Sequence, residues 1–166
     1  MVPVEMLADT PMFKGLPKSH LEEIAEISHK VQYGQGETIF LEGQRADTLY
    51  VLLEGKIALD MKINLGPNHQ PKPTTIDILS PGDSFGWSAL VEPHVLTSSA
   101  RTIKASSVIA VDGVGLREFM AEDCSLGFVI LQRLSVVISR RLREAREQMI
   151  GERGLALIYE SLRDSC

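Results

Sequence analysis

The sequence predicts a mainly β domain, an antiparallel sandwich or barrel with helices at both ends. Three observations carry this reading. Between Lys30 and Asp112 apolar residues recur with a period of two, glycines punctuate that stretch at short intervals, and the period on either side is helical.

The N-terminal part reads as helix: "LADTPMF" makes a short turn, Gly15-Leu16-Pro17 breaks it, and "SHLEEIAEI" follows. Ser19 with Glu22 three residues on has the spacing of a capping box, and Leu21, Ile24, Ala25 and Ile27 form an apolar stripe. From Lys30 the pattern becomes Val31 and Tyr33, then Thr38 to Leu41, Thr48 to Leu53 and Lys56 to Met61. Gly34, Gly36, Gly43 and Gly55 stand where tight turns between short strands are expected. Thr74 to Leu79 and Ser99 to Asp112 read as a further strand pair, with Pro81-Gly82-Asp83 as a turn. "NLGPNHQPKP" reads as a loop and as the most mobile segment.

After Gly115 the helical period returns, first in a short helix from Leu116 to Ala121. Ser125 or Asp123 is placed to cap a long helix running to about Met149. That helix has two apolar faces. Leu126, Val129, Ile130 and Val137 lie on one, and Leu131, Leu134, Ile138, Leu142, Ala145 and Met149 lie on the other. The first can cover the β domain, and the second has the threes-and-fours spacing of a two-helix seam, so a homodimer is expected. The division is therefore 1–122 for the β domain with its N-terminal helices, 123–150 for the dimer helix, and 151–166 for a short tail.

Composition narrows the function. A chain of 166 residues that is 44% hydrophobic holds one domain with a real core. A net charge of -5 argues against a general nucleic-acid surface. The basic run "RRLREAR" (Arg140, Arg141, Arg143, Arg146) interleaves with Glu144 and Glu147, as on the solvated flank of a dimer helix. Two cysteines, Cys124 and Cys166, support neither a disulfide scaffold nor a thiolate metal site, and suit a reducing, cytoplasmic setting. No signal-peptide pattern opens the chain, and no stretch reaches the ~18 apolar residues of a membrane span, so no membrane association is expected. His20, His29, His69 and His94 are scattered without metal-ligand spacing, so no metal is expected, and no nucleophile elbow or Walker loop appears, which argues against an enzyme.

The motifs "PMFKGLPKSHLEEIAEI", "YGQGETIFLEGQRADTLYVLLEGKIAL" and "SPGDSFGWSAL", in this order, resemble the cyclic-nucleotide-binding domain of the catabolite activator protein and fumarate-nitrate regulator superfamily. The resemblance runs from about Leu7 to Met149. It implies a jelly-roll-like β-roll, an antiparallel double-stranded β-helix, followed by a long dimerisation helix. It also implies a phosphate-binding cassette in "FGWSALVEPHVLTSSARTI", with Phe85, Gly86, Trp87, Ser88, Ala89, Leu90, Ser98, Ser99, Ala100 and Arg101 as ligand-binding residues.

Phe85, Gly86, Ala89 and Leu90 match that cassette, but its two polar keys do not. Trp87 stands where the family has a ribose-binding glutamate, and an indole offers only an N–H donor. Ser99 stands at the position of the phosphate-binding arginine, and Arg101 lies two residues on, on the same strand face. Three readings stay open: a cyclic nucleotide (cyclic AMP or cyclic GMP) in an altered pose, another small ligand stacked on Trp87, or a degenerate pocket in an interaction module. The family's transcription factors continue into a winged helix-turn-helix domain, and "ERGLALIYESLRDSC" is too short for one, which argues against direct DNA binding by this chain. The resemblance implies a stand-alone regulatory sensor, or the sensor part of a transcription regulator. It signals to an unnamed protein partner through the short hinge helix and the dimer helix.

Overall fold

The computed structural model of this chain describes residues 1–64, 66 and 70–163, the side chains of 152–163 excepted. Helices α1 (Val4–Ala8) and α2 (Lys18–Glu26) lead into six strands: β1 (Ser28–Tyr33), β2 (Thr38–Phe40), β3 (Thr48–Ile63), β4 (Lys72–Leu79), β5 (Ser84–Phe85) and β6 (Ser99–Asp112). A 3₁₀ helix, Trp87–Leu90, lies between β5 and β6, and α3 (Gly113–Glu122) and α4 (Cys124–Arg163) follow. All strand pairs are antiparallel. The main path runs β1-β6-β3-β4, with β2 on β6 and β5 on β3, and the sheet does not close on itself. The β-roll with flanking helices is thus the architecture, and its two long strands, β3 and β6, form its spine.

Three sequence expectations are corrected locally. The strands read as a further pair do not pair with each other: β4 lies on one edge of β3 and β6 on the other. Gly55 is not a hairpin turn, because β3 runs straight through it and the register against β6 slips on either side. A Cβ there would lie 2.2 Å from Ser106 Oγ and 2.4 Å from the Ala105 carbonyl, at a φ of +100°. The residue is a bulge at which two backbones nearly touch, and only glycine fits. Nor does Ser19 cap α2: Pro17 occupies the cap position and no side chain caps the helix. The Pro17 carbonyl accepts from the Leu21 amide at 3.1 Å, so the first turn begins ahead of Ser19, which lies inside the helix.

The chain divides into two compact units between Leu131 and Gln132. In the first, the roll interior is a cluster that includes Phe40, Leu52, Ile57, Leu59, Phe85 and Val108. Thr102 is fully buried yet satisfied: its hydroxyl donates to the Gly34 carbonyl (2.6 Å) and accepts from the Glu37 amide (2.9 Å), pinning the β1–β2 turn. The second unit is helical. Arg140 and Glu144 pair at 4.0 Å across one turn, of the kind the interleaved charges predict. Helix α4 passes the expected stop near Met149 and continues through Gly151 to Arg163, a glycine costing a helix only ~1 kcal/mol. The residues of the 65–69 loop other than Gly66, and Cys166, lie outside the described residues.

Candidate ligand-binding cassette

The cassette opens at β5, whose Phe85 pairs in register with Tyr50 and stacks on its ring at 5.0 Å, with Phe40 at 5.9 Å. Burial raises the Tyr50 phenol above its ordinary range, partly offset by a hydrogen bond with Thr48. Gly86 then takes a left-handed conformation at φ +70°. A side chain there would meet the Thr48 carbonyl at 2.8 Å and the Tyr50 ring at 3.0 Å, so the turn requires glycine twice over. The 3₁₀ helix follows at once, with Trp87 half-buried and Ser88, Ala89 and Leu90 buried.

This short helix is held from behind by α3. Arg117 donates from Nη1 to the Ala89 carbonyl, and Gly113, at the first position of α3, lies so near that a Cβ there would stand 2.8 Å from Ala89 Cβ. Asp112 caps α3, its carboxylate accepting from the Val114 and Gly115 amides. Arg117 was not singled out in the sequence, since a lone arginine on a short helix carries no signal of what it meets.

Beyond the helix the chain doubles back at His94, which holds φ at 56° and keeps its Nδ1 3.2 Å from the Ser88 carbonyl. A carbonyl can only accept, so that nitrogen carries the proton. The returning segment zips onto the β2–β3 connection: Ala46 N donates to His94 O (2.8 Å), Leu96 N to Gln44 O (2.9 Å) and Gly43 N to Leu96 O (2.8 Å). Among the described residues no three metal-ligating side chains converge.

The closing strand disposes its residues on two faces. Ala100 is fully buried in the interior cluster beside Leu59, Ala89 and Leu96. Its neighbours Ser99 and Arg101 share the other face, opposite Asp60 and Ala58, and Ser98 before them is half-buried. The spacing argument correctly puts Ser99 and Arg101 together. It does not reveal that their polar atoms are already engaged. Ser99 Oγ accepts from the Glu42 amide (2.9 Å), and Arg101 Nε donates to Asp60 Oδ2 (3.2 Å). Asp60, only 12% exposed at its side chain, also receives the Thr75 hydroxyl at 2.7 Å. Asp60 and Glu42 were missed by the sequence reading, because neither is near Arg101 or Ser99 in the chain.

Past α3, Asp123 caps α4: Oδ1 accepts from the Ser125 hydroxyl (2.7 Å), the Ser125 amide (2.7 Å) and the Leu126 amide (3.2 Å). Oδ2 accepts from His20 Nε2 at 2.9 Å. The Ser125 hydroxyl first, then the amides, hold this carboxyl down at about 2. Among the described residues no helix is long and apolar enough to cross a membrane.

Residues 30–123 match the family model described as "Cyclic nucleotide-binding domain". Over 145 residues the chain is 28% identical to a protein of Mycobacterium tuberculosis named "CRP-like cAMP-activated global transcriptional regulator", covering 87% of this chain and 61% of that one. Over 136 residues it is 26% identical to the "Cyclic AMP receptor protein" of Thermus thermophilus, covering 82% and 59%. It spans about three fifths of the length of these curated relatives. A solved structure, a putative cyclic nucleotide-binding protein from Geobacter metallireducens, superposes with a TM-score of 0.75 at 32% identity, covering 86% of this chain and 99% of that one. The match over the roll, the cassette and α3 places this chain in the cyclic nucleotide-binding domain family, among relatives of the CRP-like regulators.

Proposed function

We propose that this chain is a regulatory sensor domain that takes a small anionic ligand, a cyclic nucleotide or a relative of one, in its cassette and passes the signal through α3 to the start of α4. One observation carries the reading most: the cassette's 3₁₀ helix is tied to α3 through Arg117 and through the contact of Ala89 with Gly113. A ligand that contacts Phe85 to Leu90 therefore acts on the element that precedes the dimer helix. Differential binding to two placements of α3 would shift their populations. The name of the Mycobacterium tuberculosis relative, a cAMP-activated transcriptional regulator, and that of the Thermus thermophilus relative, a cyclic AMP receptor, support a role in transcription regulation for the protein this domain serves, and the scarce cysteines support a cytoplasmic setting for it.

The partner proposed is a second copy. On α4, Leu131, Leu142 and Met149 are exposed, and Ile138 and Ala145 continue the same row at threes and fours. Phe128, 66% exposed, starts that row, while Leu134 is buried and belongs to the row of Leu126 and Ile130. The seam we propose is therefore Phe128, Leu131, Ile138, Leu142, Ala145 and Met149.

A second reading, an interaction module with a vestigial pocket, is favoured by the engagement of Arg101 with Asp60, which commits the arginine on the Ser99 face to a carboxylate of the fold. Calorimetric titration with cyclic AMP and cyclic GMP, with fluorescence of the single tryptophan in parallel, separates the two. The sensor reading expects micromolar affinity for one of them and a change in Trp87 emission. No heat and no emission change with either would leave the interaction module.

A further inference from the structure

A cavity of about 200 Å³ opens outside the cassette helix, walled by Ile39, Phe40, Ala46 and Leu96. Its polar lining is Gln44, Arg45, Asp47, Thr48 and Tyr50, and it includes none of Trp87 to Leu90, nor Ser99 or Arg101. The size is below the several hundred Å³ of sites that enclose drug-sized ligands, so it suits a molecule smaller than a nucleotide.

The charges lining it are of both signs and adjacent. Arg45 Nε donates to Asp47 Oδ1 at 2.7 Å, with side chains 75% and 52% exposed, so the pair stands at the mouth. That contact uses one of the guanidinium's nitrogens and one carboxylate oxygen; Arg45's terminal nitrogens and Asp47 Oδ2 meet nothing else among the described residues. Gln44 turns its carbonyl oxygen to the Leu41 amide at 2.9 Å, leaving its amide N–H groups as further donors. The mouth thus offers donors for a carboxylate beside an acceptor for an ammonium, and behind it lies a small apolar floor of the nearly buried Phe40, Ala46 and Leu96. An exposed ion pair is itself worth ~1 kcal/mol or less, so it yields to or accommodates a better partner at small cost.

We infer that this cavity is a second ligand site and that it takes a free α-amino acid with an apolar side chain, the carboxylate on Arg45 and Gln44, the ammonium on Asp47, and the side chain against Phe40 and Leu96. The backbone that forms the mouth is bonded to the cassette loop through Ala46 and to α3 through Gly113 N to Asp47 O at 2.8 Å. These bonds involve main-chain atoms only, so side-chain substitutions at Arg45 and Asp47 leave them in place. The inference does not depend on what enters the cassette, and a blank titration with cyclic nucleotides leaves it standing.

The experiment is calorimetric titration of the full chain with L-leucine, L-methionine and L-phenylalanine. The two truncated forms of leucine serve as controls: 4-methylpentanoate, which lacks the ammonium, and 3-methylbutylamine, which lacks the carboxylate. At least one amino acid is expected to bind saturably, with both truncated forms at least about tenfold weaker than leucine where leucine binds. Arg45→Gln and Asp47→Asn, checked for an unchanged melting temperature, are each expected to weaken binding by a similar factor. No saturation by any of the three at ~10 mM, or a truncated form binding as well as leucine, overturns the site. Binding that survives Arg45→Gln unchanged overturns it as well.

Discussion

The two ends of the cassette are built on opposite plans. Its opening, Phe85 to Leu90, is fixed by backbone: a left-handed glycine, a stacked phenylalanine and a 3₁₀ helix buried on three of its four residues. Its closing strand, Ser98 to Arg101, is fixed by side chains that reach away from the interior, Ser99 to the Glu42 amide and Arg101 to Asp60. The opening keeps the turn and the small residues of the family pattern, while the closing end commits its polar groups to the fold. Shape and charge are thus separable in this cassette: turn geometry needs only glycine and a small residue, whereas a binding charge needs a particular strand face and no internal partner.

The comparison breaks first at Gly86. Replacing it with valine forces a β-branched residue to φ +70° against the Thr48 carbonyl, and we expect a loss of ~2–4 kcal/mol in urea unfolding. A loss under ~1 kcal/mol would mean that the opening is not held by its turn. Next is the Arg101–Asp60 pair, where the two deletions should be unequal. Arg101→Ala strands a carboxylate that is 12% exposed with only Thr75, at an expected ~1–3 kcal/mol, whereas Asp60→Ala leaves an arginine already 43% exposed to reach water, at under ~1 kcal/mol. The double variant should recover part of the Arg101→Ala loss. Equal losses from the two single variants would show that the pair is not what fixes the closing end. The smallest effect is Ser99→Ala, which removes one acceptor from the Glu42 amide and should move the same unfolding curve by ~0.5–1 kcal/mol; no shift would place that amide's partner in solvent.

Much of this was legible in the chain. The period of two between Lys30 and Asp112 and the return to a helical period at α3 reflect burial on one face at a time, and they located the strands and the long helix. Gly55 was misread because a turn glycine and a bulge glycine look alike until the neighbouring strand is known; here Ala105 and Ser106 decide it from fifty residues away. In the cassette the opening could be read, since Phe-Gly-x-x-Ala-Leu is a local pattern. Arg101 was legible as to face-sharing with Ser99 but not as to occupancy. Its partner sits on β3, brought opposite by the register Asp60 with Ser99, which no local pattern encodes. Ser19 failed as a cap for a simpler reason: Pro17, two residues earlier, holds the cap position, so Ser19 lies inside the helix.

Strand β6 ends at Asp112 and α3 begins at Gly113, so the residue that finishes the strand is also the cap of the helix. There is no linker in between to absorb play. Fourteen strand residues follow a contour of ~46 Å from the closing end of the cassette to that cap. A one-residue slip at Ser99 would have to be taken up inside the strand by a bulge, or else delivered whole to the first turn of α3. In mechanical terms β6 is a connecting rod whose give is confined to the register slips opposite Gly55, between Thr102 and Val108, and those slips set how much of any movement in the cassette reaches the helix beyond.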